Sequence, residues 1–205
     1  MSSKEHWERI YSTKPTNSVS WYQAHAESSL SLIRATGVAN DGAIIDVGGG
    51  ASTLVDDLLE AGFSRLTVLD LSGMALAAAR ERLGSRASFV RWIEADVTKV
   101  GLPPDEYDVW HDRAVFHFLT SADDRAAYVR AVSRSVKAGG HVIVATFAED
   151  GPPQCSGLPV MRYGADTLHS EFGDAFALVS HQREEHHTPQ GKVQMFVYCY
   201  CRKKV

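Results

Sequence analysis

A chain of 205 residues, 44% apolar and 22% charged, has the size and balance of one globular domain with a substantial core. Its net charge of −4, with basic residues scattered rather than clustered, argues against a nucleic-acid partner, which needs a concentrated positive face. Three cysteines (Cys155, Cys199 and Cys201) make no disulfide framework and point to a reducing cytoplasm, the opening MSSKEHWERIYSTK lacks the apolar core of a signal peptide, and no window reaches the length of a membrane span, so no membrane partner is expected.

Apolar spacing predicts helices over KEHWERIY and over AESSLSLIRAT, Ala26 to Thr36. AIIDVG, from Ala43, reads as a short apolar strand. In STLVDDLLEAG, Leu54, Val55, Leu58 and Leu59 recur at helical spacing, and Gly62 supplies a stop. RLTVLDLS is a strand, MALAAARERLG a helix ending at Gly84, and ASFVRWIEAD a strand before the loop KVGLPPDE. YDVWHD is a strand. SADDRAAYVRAVSRSVKAGG predicts one helix with an acidic start, a basic end and a glycine stop. HVIVATFA is a strand and ADTLHSEFG a short helix. FALVSHQREEHHT and VQMFVYCYCRK form two long strands around a PQGK turn. Strands alternating with helices mean a mostly parallel sheet with helices on both faces, and the final hairpin forces at least one antiparallel strand. In such sheets ligands lie beyond the carboxyl ends of the strands.

The residues after each strand are therefore the ones to weigh. The first strand runs into Asp46-Val-Gly48-Gly49-Gly50-Ala-Ser52. This is either a tight turn or a loop that lets a nucleotide-like ligand touch bare backbone. Its spacing departs from the dinucleotide fingerprint, because position 53 is Thr rather than Gly. The second strand ends in Asp70, twenty residues after Gly50, where a carboxylate suits a ribose diol. The alternative, a helix N-cap, is one that Ser72 supplies equally well. The third strand leads to Asp96-Val97, where an acid could accept from an adenine amine or simply close a turn.

Taken together, the glycine loop, Asp70, Asp96-Val97 and the antiparallel hairpin resemble the class I S-adenosylmethionine-dependent methyltransferases, from about Ile44 to the C-terminus. The resemblance implies an α/β, Rossmann-like, doubly wound seven-stranded mixed sheet, with the last strand antiparallel and inserted between strands five and six. It implies S-adenosyl-L-methionine as cofactor, with S-adenosyl-L-homocysteine as product. The donor's methionine part would lie over Asp46, Gly48, Gly49, Gly50 and Ser52, its ribose on Asp70 beside Leu71, and its adenine beside Asp96 and Val97. Trp21 and Asp112 complete the expected donor contacts. The expected division is an N-terminal helical cap (1–40), a donor-binding core (41–148), and an acceptor-side loop with the C-terminal hairpin (149–205), all in one domain.

The lead-in HWERIYSTKPTNSVSWYQ resembles that of a subset of small methyltransferases, which includes small-molecule thiol enzymes and some protein-lysine enzymes. Trp21 and Tyr22 would then fold over the donor or the acceptor, or pack as a core pair. Enzymes that methylate exocyclic amines of bases carry Asn or Asp with Pro-Pro-aromatic after strand four. This chain has His111-Asp112-Arg113-Ala114 instead, which argues against a base acceptor. His111, Asp112 and His117 are the candidate catalytic groups, since histidine can take a proton near neutrality. Arg113 and His117 share a face if the segment turns helical. A structural role is equally open: Asp112 pairing with Arg113, and His117 in the core. The Pro/Gly-rich loop EDGPPQCSGLPVMRYG could supply Cys155, Met161, Arg162 and Tyr163 to a substrate pocket. Of these, Cys155 is not expected to be a nucleophile, because the reaction needs none. Cys199 and Cys201 alternate on one face as packing thiols, and His186-His187 point to opposite faces of a strand, so no metal is expected. The expected reaction is methyl transfer to a small molecule, with a thiol or similar soft nucleophile preferred. A protein-lysine acceptor and a non-catalytic donor-binding regulator are the alternatives. Oligomeric state is left open.

Overall fold

The structure, a computed structural model, describes residues 3–205. Helices α1 (Ser3–Thr13), α2 (Glu27–Ala35), α3 (Leu54–Glu60), α4 (Gly73–Leu83), α5 (Ala122–Ser135) and α6 (Ala165–Ser170) alternate with the strands. These are β1 (Ala43–Val47), β2 (Arg65–Asp70), β3 (Val90–Glu94), β4 (Tyr107–Arg113), β5 (Val136–Phe147), the short pair β6 (Gln154–Cys155) and β7 (Leu158–Pro159), β8 (Phe176–His187) and β9 (Val193–Lys203). Seven of them form one sheet in the order β3-β2-β1-β4-β5-β9-β8. The pairings from β3 to β5 are parallel, and β9 runs antiparallel to both β5 and β8. This is the sheet that the sequence implies. Strand order reverses between β1 and β4, so a crevice opens there at the carboxyl ends of the strands.

All five residues of β1 are buried, as expected for a parallel strand covered on both faces. Successive side chains feed two cores. Ile45, Val47 and Trp110 pack with Tyr128 and Val132 of α5 and Leu168 of α6. Ile44, Val109 and Ile143 pack with Ile33 of α2, Leu58 of α3 and Leu76 of α4. Cys199 and Cys201 are free, 1% exposed, and packed side by side with their sulfurs 3.2 Å apart. His186 is 4% exposed while its neighbour His187 points to solvent, the strand alternation expected of them. No helix among the described residues is long and apolar enough to cross a membrane.

The structure corrects three expectations about the elements. The helix predicted to run to Gly140 stops at Ser135, and Val136–Gly140 opens β5 instead. Val136 is extended and pairs with Tyr107, while the Lys137 ammonium donates to Asp108 at 2.8 Å. Sheet pairing outweighs a weak helical preference in a stretch holding a β-branched residue and two glycines. The strand predicted from Ala87 begins only at Val90, because Gly84–Phe89 coils into a 3₁₀ helix. Arg113 and His117 do not share a helical face. β4 carries Arg113 in extended conformation, and only Phe116–Phe118 turns.

Candidate active site

A cavity of about 320 Å³ opens beyond the carboxyl ends of β1 to β4. It is lined by Val47, Gly48, Asp70, Leu71, Asp96, Val97, Ala114 and Val115, and by the rings of Trp7, Tyr11, Trp21 and Phe118. A smaller cavity of about 40 Å³ is lined by Asp46, Gly48, Gly49, Ser52, Ser29 and His111. The two share Tyr11, Trp21, Gly48 and Arg113.

The glycine loop is bare because its neighbours leave no room. Gly48 has φ +71°, and a β-carbon on it would run into Val115. A β-carbon on Gly49 would strike Asp46 Oδ2, and one on Gly50 would strike Asp70 Oδ2. The loop thus brings backbone to within contact of both carboxylates. Asp46 Oδ1 is bonded to His111 Nδ1 at 2.7 Å, while its buried Oδ2 has no partner among the described residues. A buried carboxylate oxygen left unpaired is costly, so this atom suits a cationic group such as an ammonium.

Asp70 closes β2. Its Oδ1 accepts from the Ser72 amide at 2.8 Å, and Ser72 itself caps α4 by accepting from the Ala75 amide. The capping role thus falls to Ser72, and Asp70 lines the cavity. Burial pushes its carboxyl up to about 7, against the Ser72 hydrogen bond, with nearby Asp46 adding to the rise. Asp96 and Val97 also line the cavity. The Asp96 carboxylate closes a turn, accepting from the Thr98 amide and hydroxyl at 2.9 and 2.7 Å, and from the Lys99 ammonium at 2.7 Å. Burial raises it, but these donors outweigh burial and hold it below the usual carboxylate range. This acid thus closes a turn and also lines the pocket.

Of the N-terminal pair, Trp21 lines both cavities, whereas Tyr22 reaches only the smaller one. Trp7 and Tyr11 of α1 stack edge-on against Trp21, with ring centroids 5.7 and 6.2 Å apart, and Trp7 also packs on Phe118 at 5.1 Å. Helix α1 is fixed to the sheet by Glu8, whose carboxylate accepts from the first amides of α4, Gly73 at 2.8 Å and Met74 at 3.3 Å. Lys4 pairs with Glu94. Sequence reading took Trp21 but missed Trp7, Tyr11 and Phe118. The available signal was the i, i+4 spacing of Trp7 and Tyr11 on one face of a predicted helix.

The groups after β4 stand differently from expectation. Asp112 is fully buried and lines neither cavity. Its oxygens accept from the Val115 and Phe116 amides at 2.9 and 3.1 Å and from the Tyr128 hydroxyl at 2.7 Å. It folds the turn that follows β4, and burial pushes it up to about 7 against those bonds. His117 is likewise 0% exposed and outside both cavities. It accepts from the Phe147 amide at 3.3 Å, and burial, aided by the Arg113 charge, drives it down to about 3. It is a neutral core residue, too weakly basic to take a proton near pH 7. His111 lines only the smaller cavity, and both its nitrogens are engaged.

Arg113 lines both cavities, yet its charge is spent inside the fold. It donates to Glu184 at 2.8 Å, the Tyr198 hydroxyl at 3.1 Å and the Trp21 carbonyl at 3.3 Å, and lies 4.1 Å over the Phe196 ring. It does not pair with Asp112. From the Pro/Gly loop only Cys155 reaches the cavity, with its thiol pushed up to about 12 by burial. Arg162 turns back to the Gly151 carbonyl at 3.2 Å, and the Tyr163 hydroxyl donates to Glu171 at 3.2 Å. Neither of these two, nor Met161, lines the pocket.

Comparison with known proteins agrees with this geometry. Residues 45–144 match a family model described as a methyltransferase domain. Among curated proteins, the chain is similar to the eEF1A lysine and N-terminal methyltransferases of Danio rerio, 24% identical over 152 residues and 73% of this chain, and of Mus musculus, 22% identical over 141 residues and 69% of this chain. It spans about a fifth of the length of these relatives, 22% and 20% respectively. Among solved structures, one from work on conversion of a disulfide bond into a thioacetal group during echinomycin biosynthesis superposes with a TM-score of 0.80 at 17% identity, covering 99% of this chain and 92% of that one. The Burkholderia thailandensis 1,6-didemethyltoxoflavin-N1-methyltransferase, bound to 1,6-didemethyltoxoflavin and S-adenosylhomocysteine, gives 0.68 at 18% identity over 99% of this chain and 84% of that one. A methyltransferase from Anabaena variabilis ATCC 29413 gives 0.74 at 14% identity over 100% and 96%. Sheet order, glycine loop and family match converge: residues 45–144 form a methyltransferase domain on the class I fold, which supports S-adenosylmethionine as its methyl donor.

Proposed function

We propose that this methyltransferase acts on a small, uncharged acceptor with a soft nucleophile, a thiol or sulfide, enclosed with the donor under the aromatic cover of α1. The donor's amino-acid end belongs in the smaller cavity against Asp46, Gly48–Gly50 and Ser52. Its ribose belongs on Asp70, and its adenine between Leu71 and Asp96-Val97. When bound, S-adenosylmethionine supplies a methyl group on a sulfonium, open to in-line displacement. The chain's part is to align the acceptor and exclude water.

The observation that carries the reading is the wall of Trp7, Tyr11, Trp21 and Phe118. It is aromatic, unlike a surface built to dock a charged peptide. The titratable groups on and after β4, and Cys155 and Tyr11 of the cavity wall, support the soft acceptor. His111, Asp112 and His117 are engaged in the fold, and Cys155 and Tyr11 are held protonated, chiefly by burial. A hydroxyl or an ammonium needs a base, whereas a thiol can ionise with little help and a sulfide needs none. The structure at TM-score 0.80 comes from chemistry at a disulfide, also a soft sulfur centre. The three free cysteines fit a reducing, cytoplasmic setting.

The curated relatives favour a second reading, a protein amine as acceptor, since their names specify lysine and N-terminal methylation. Incubation with radiolabelled donor separates the two. The small-molecule reading expects label in a low-molecular-weight product from cell extract and transfer to simple alkyl thiols. A single labelled protein band, with no labelled small product, would overturn it in favour of the amine reading.

A further inference from the structure

A buried polar chain lies behind the glycine loop, running from Asp46 on β1 through His111 on β4 to Ser29 on α2. His111 Nδ1 is 2.7 Å from Asp46 Oδ1, and its Nε2 is 2.9 Å from Ser29 Oγ. The three residues are 4%, 2% and 0% exposed. An ionised carboxylate only accepts, so Nδ1 carries the hydrogen and donates to Asp46. In the neutral ring the Ser29 hydroxyl then donates to Nε2. Asp46 Oδ2 has no partner among the described residues, and Asp46 lines the smaller cavity.

The bond from His111 does two things to this carboxylate. It fixes the rotation of the group, so that one oxygen is held inside the fold and the other is left for the cavity. It also satisfies the inner oxygen with an imidazole N–H. With both nitrogens engaged, His111 has no atom left for the acceptor's proton.

We propose that His111 is the positioning residue that sets Asp46 for the donor's α-ammonium, and that it governs affinity for the amino-acid end of the donor rather than the nucleoside end. This rests on the assignment of the amino-acid end to the smaller cavity made above. The nucleoside end is independent of His111: Asp70 is held by the Ser72 amide, and Asp96 by Thr98 and Lys99.

Two probes isolate the two ends. S-adenosylhomocysteine carries the ammonium and carboxylate, whereas 5′-methylthioadenosine keeps the nucleoside and sulfur but lacks both. Calorimetry on the full chain compares them for wild type, His111→Leu, His111→Asn and Asp46→Asn. The Leu variant is expected to bind S-adenosylhomocysteine roughly 10- to 100-fold more weakly, the range for losing a hydrogen bond to a charged group. It keeps its affinity for methylthioadenosine within about twofold, well inside the noise of a lost hydrogen bond. The Asn variant, whose amide N–H takes the place of Nδ1, recovers most of the loss, and Asp46→Asn reproduces it. Should the Leu variant not fold, His111→Gln replaces it with the same expected split, because its longer amide reaches toward Ser29 and not Asp46. Equal losses for both probes would mean general damage and would overturn the proposal. A loss in Asp46→Asn with none in the Leu or Gln variants would overturn the role of His111 but keep the site assignment. No loss in Asp46→Asn would overturn the assignment itself.

Discussion

Replacing Glu8 with Ala tests whether α1 is a working cover or only an appended helix. The Glu8 carboxylate accepts two amides at the start of α4, one at ordinary length (2.8 Å) and one long (3.3 Å). An anion at a helix N-terminus contributes about 0.3–1 kcal/mol when exposed and about 2 kcal/mol when partly buried. Glu8 is half-buried, so about 1–2 kcal/mol is the expected loss. The Lys4–Glu94 pair cannot make this up, since both side chains are about half exposed (51% and 46%) and such pairs contribute about 0–1 kcal/mol. What remains is apolar: Ile10, 9% exposed, and Trp7 against Phe118 and Trp21. Burying one such side chain is worth about 1.5–3 kcal/mol, so α1 stays docked for most of the time but opens roughly 5- to 30-fold more often. Hydrogen exchange should therefore show faster exchange confined to α1 and the first turn of α4. Turnover at low substrate should fall by less than about twofold, because the docked form still dominates, and the melting temperature should barely move, because α1 adds little to the sheet's two cores. Unchanged exchange in α1, or faster exchange spread equally through the sheet's two cores, would refute the idea that Glu8 holds this helix as a separate cover over the site.

Three further outcomes follow from the titrations and hydrogen bonds. In the proposed site a ribose diol would donate to Asp70 and favour its ionised form, while burial pushes its carboxyl up to about 7. Donor binding should release protons and tighten as pH rises through 7, which calorimetry in buffers of different ionisation enthalpy can read, and Asp70→Asn should bind weakly with a flat profile. Asp112→Ala leaves the Val115 and Phe116 amides and the Tyr128 hydroxyl without their acceptor. The loss should be about 3 kcal/mol of stability, lowering Tm by roughly 6–12 °C, with turnover per folded molecule kept, and a stable but inactive variant would restore Asp112 to the chemistry. His117 is neutral down to about pH 3 and lies outside the cavities, so His117→Gln should leave the pH–rate profile unshifted between pH 6 and 9. A lost limb in that profile would show that His117 moves a proton after all.

What the sequence determines by itself is the periodic part of the molecule. Apolar runs such as AIIDVG must be buried on both faces, and their alternation with amphipathic helices leaves a doubly wound sheet as the economical solution. Glycine at 48–50 and acids at 46, 70 and 96 are legible because backbone conformation and ligand chemistry restrict those positions more than packing does. What the sequence leaves undecided is which polar side chain turns inward. His111, Asp112, Arg113 and His117 are close together in sequence and look equivalent as candidate bases or ligands. Only the register of β4 between β1 and β5 sends His111 to Asp46, buries Asp112 under a turn, and delivers Arg113 to Glu184 on a strand 71 positions away. The cover is tertiary in the same sense. Trp7 and Tyr11 lie some forty residues before the glycine loop, and nothing local aims their rings at it. Their position follows from Glu8 meeting the amides of α4, a contact between side chain and backbone 65 residues apart that no periodicity encodes.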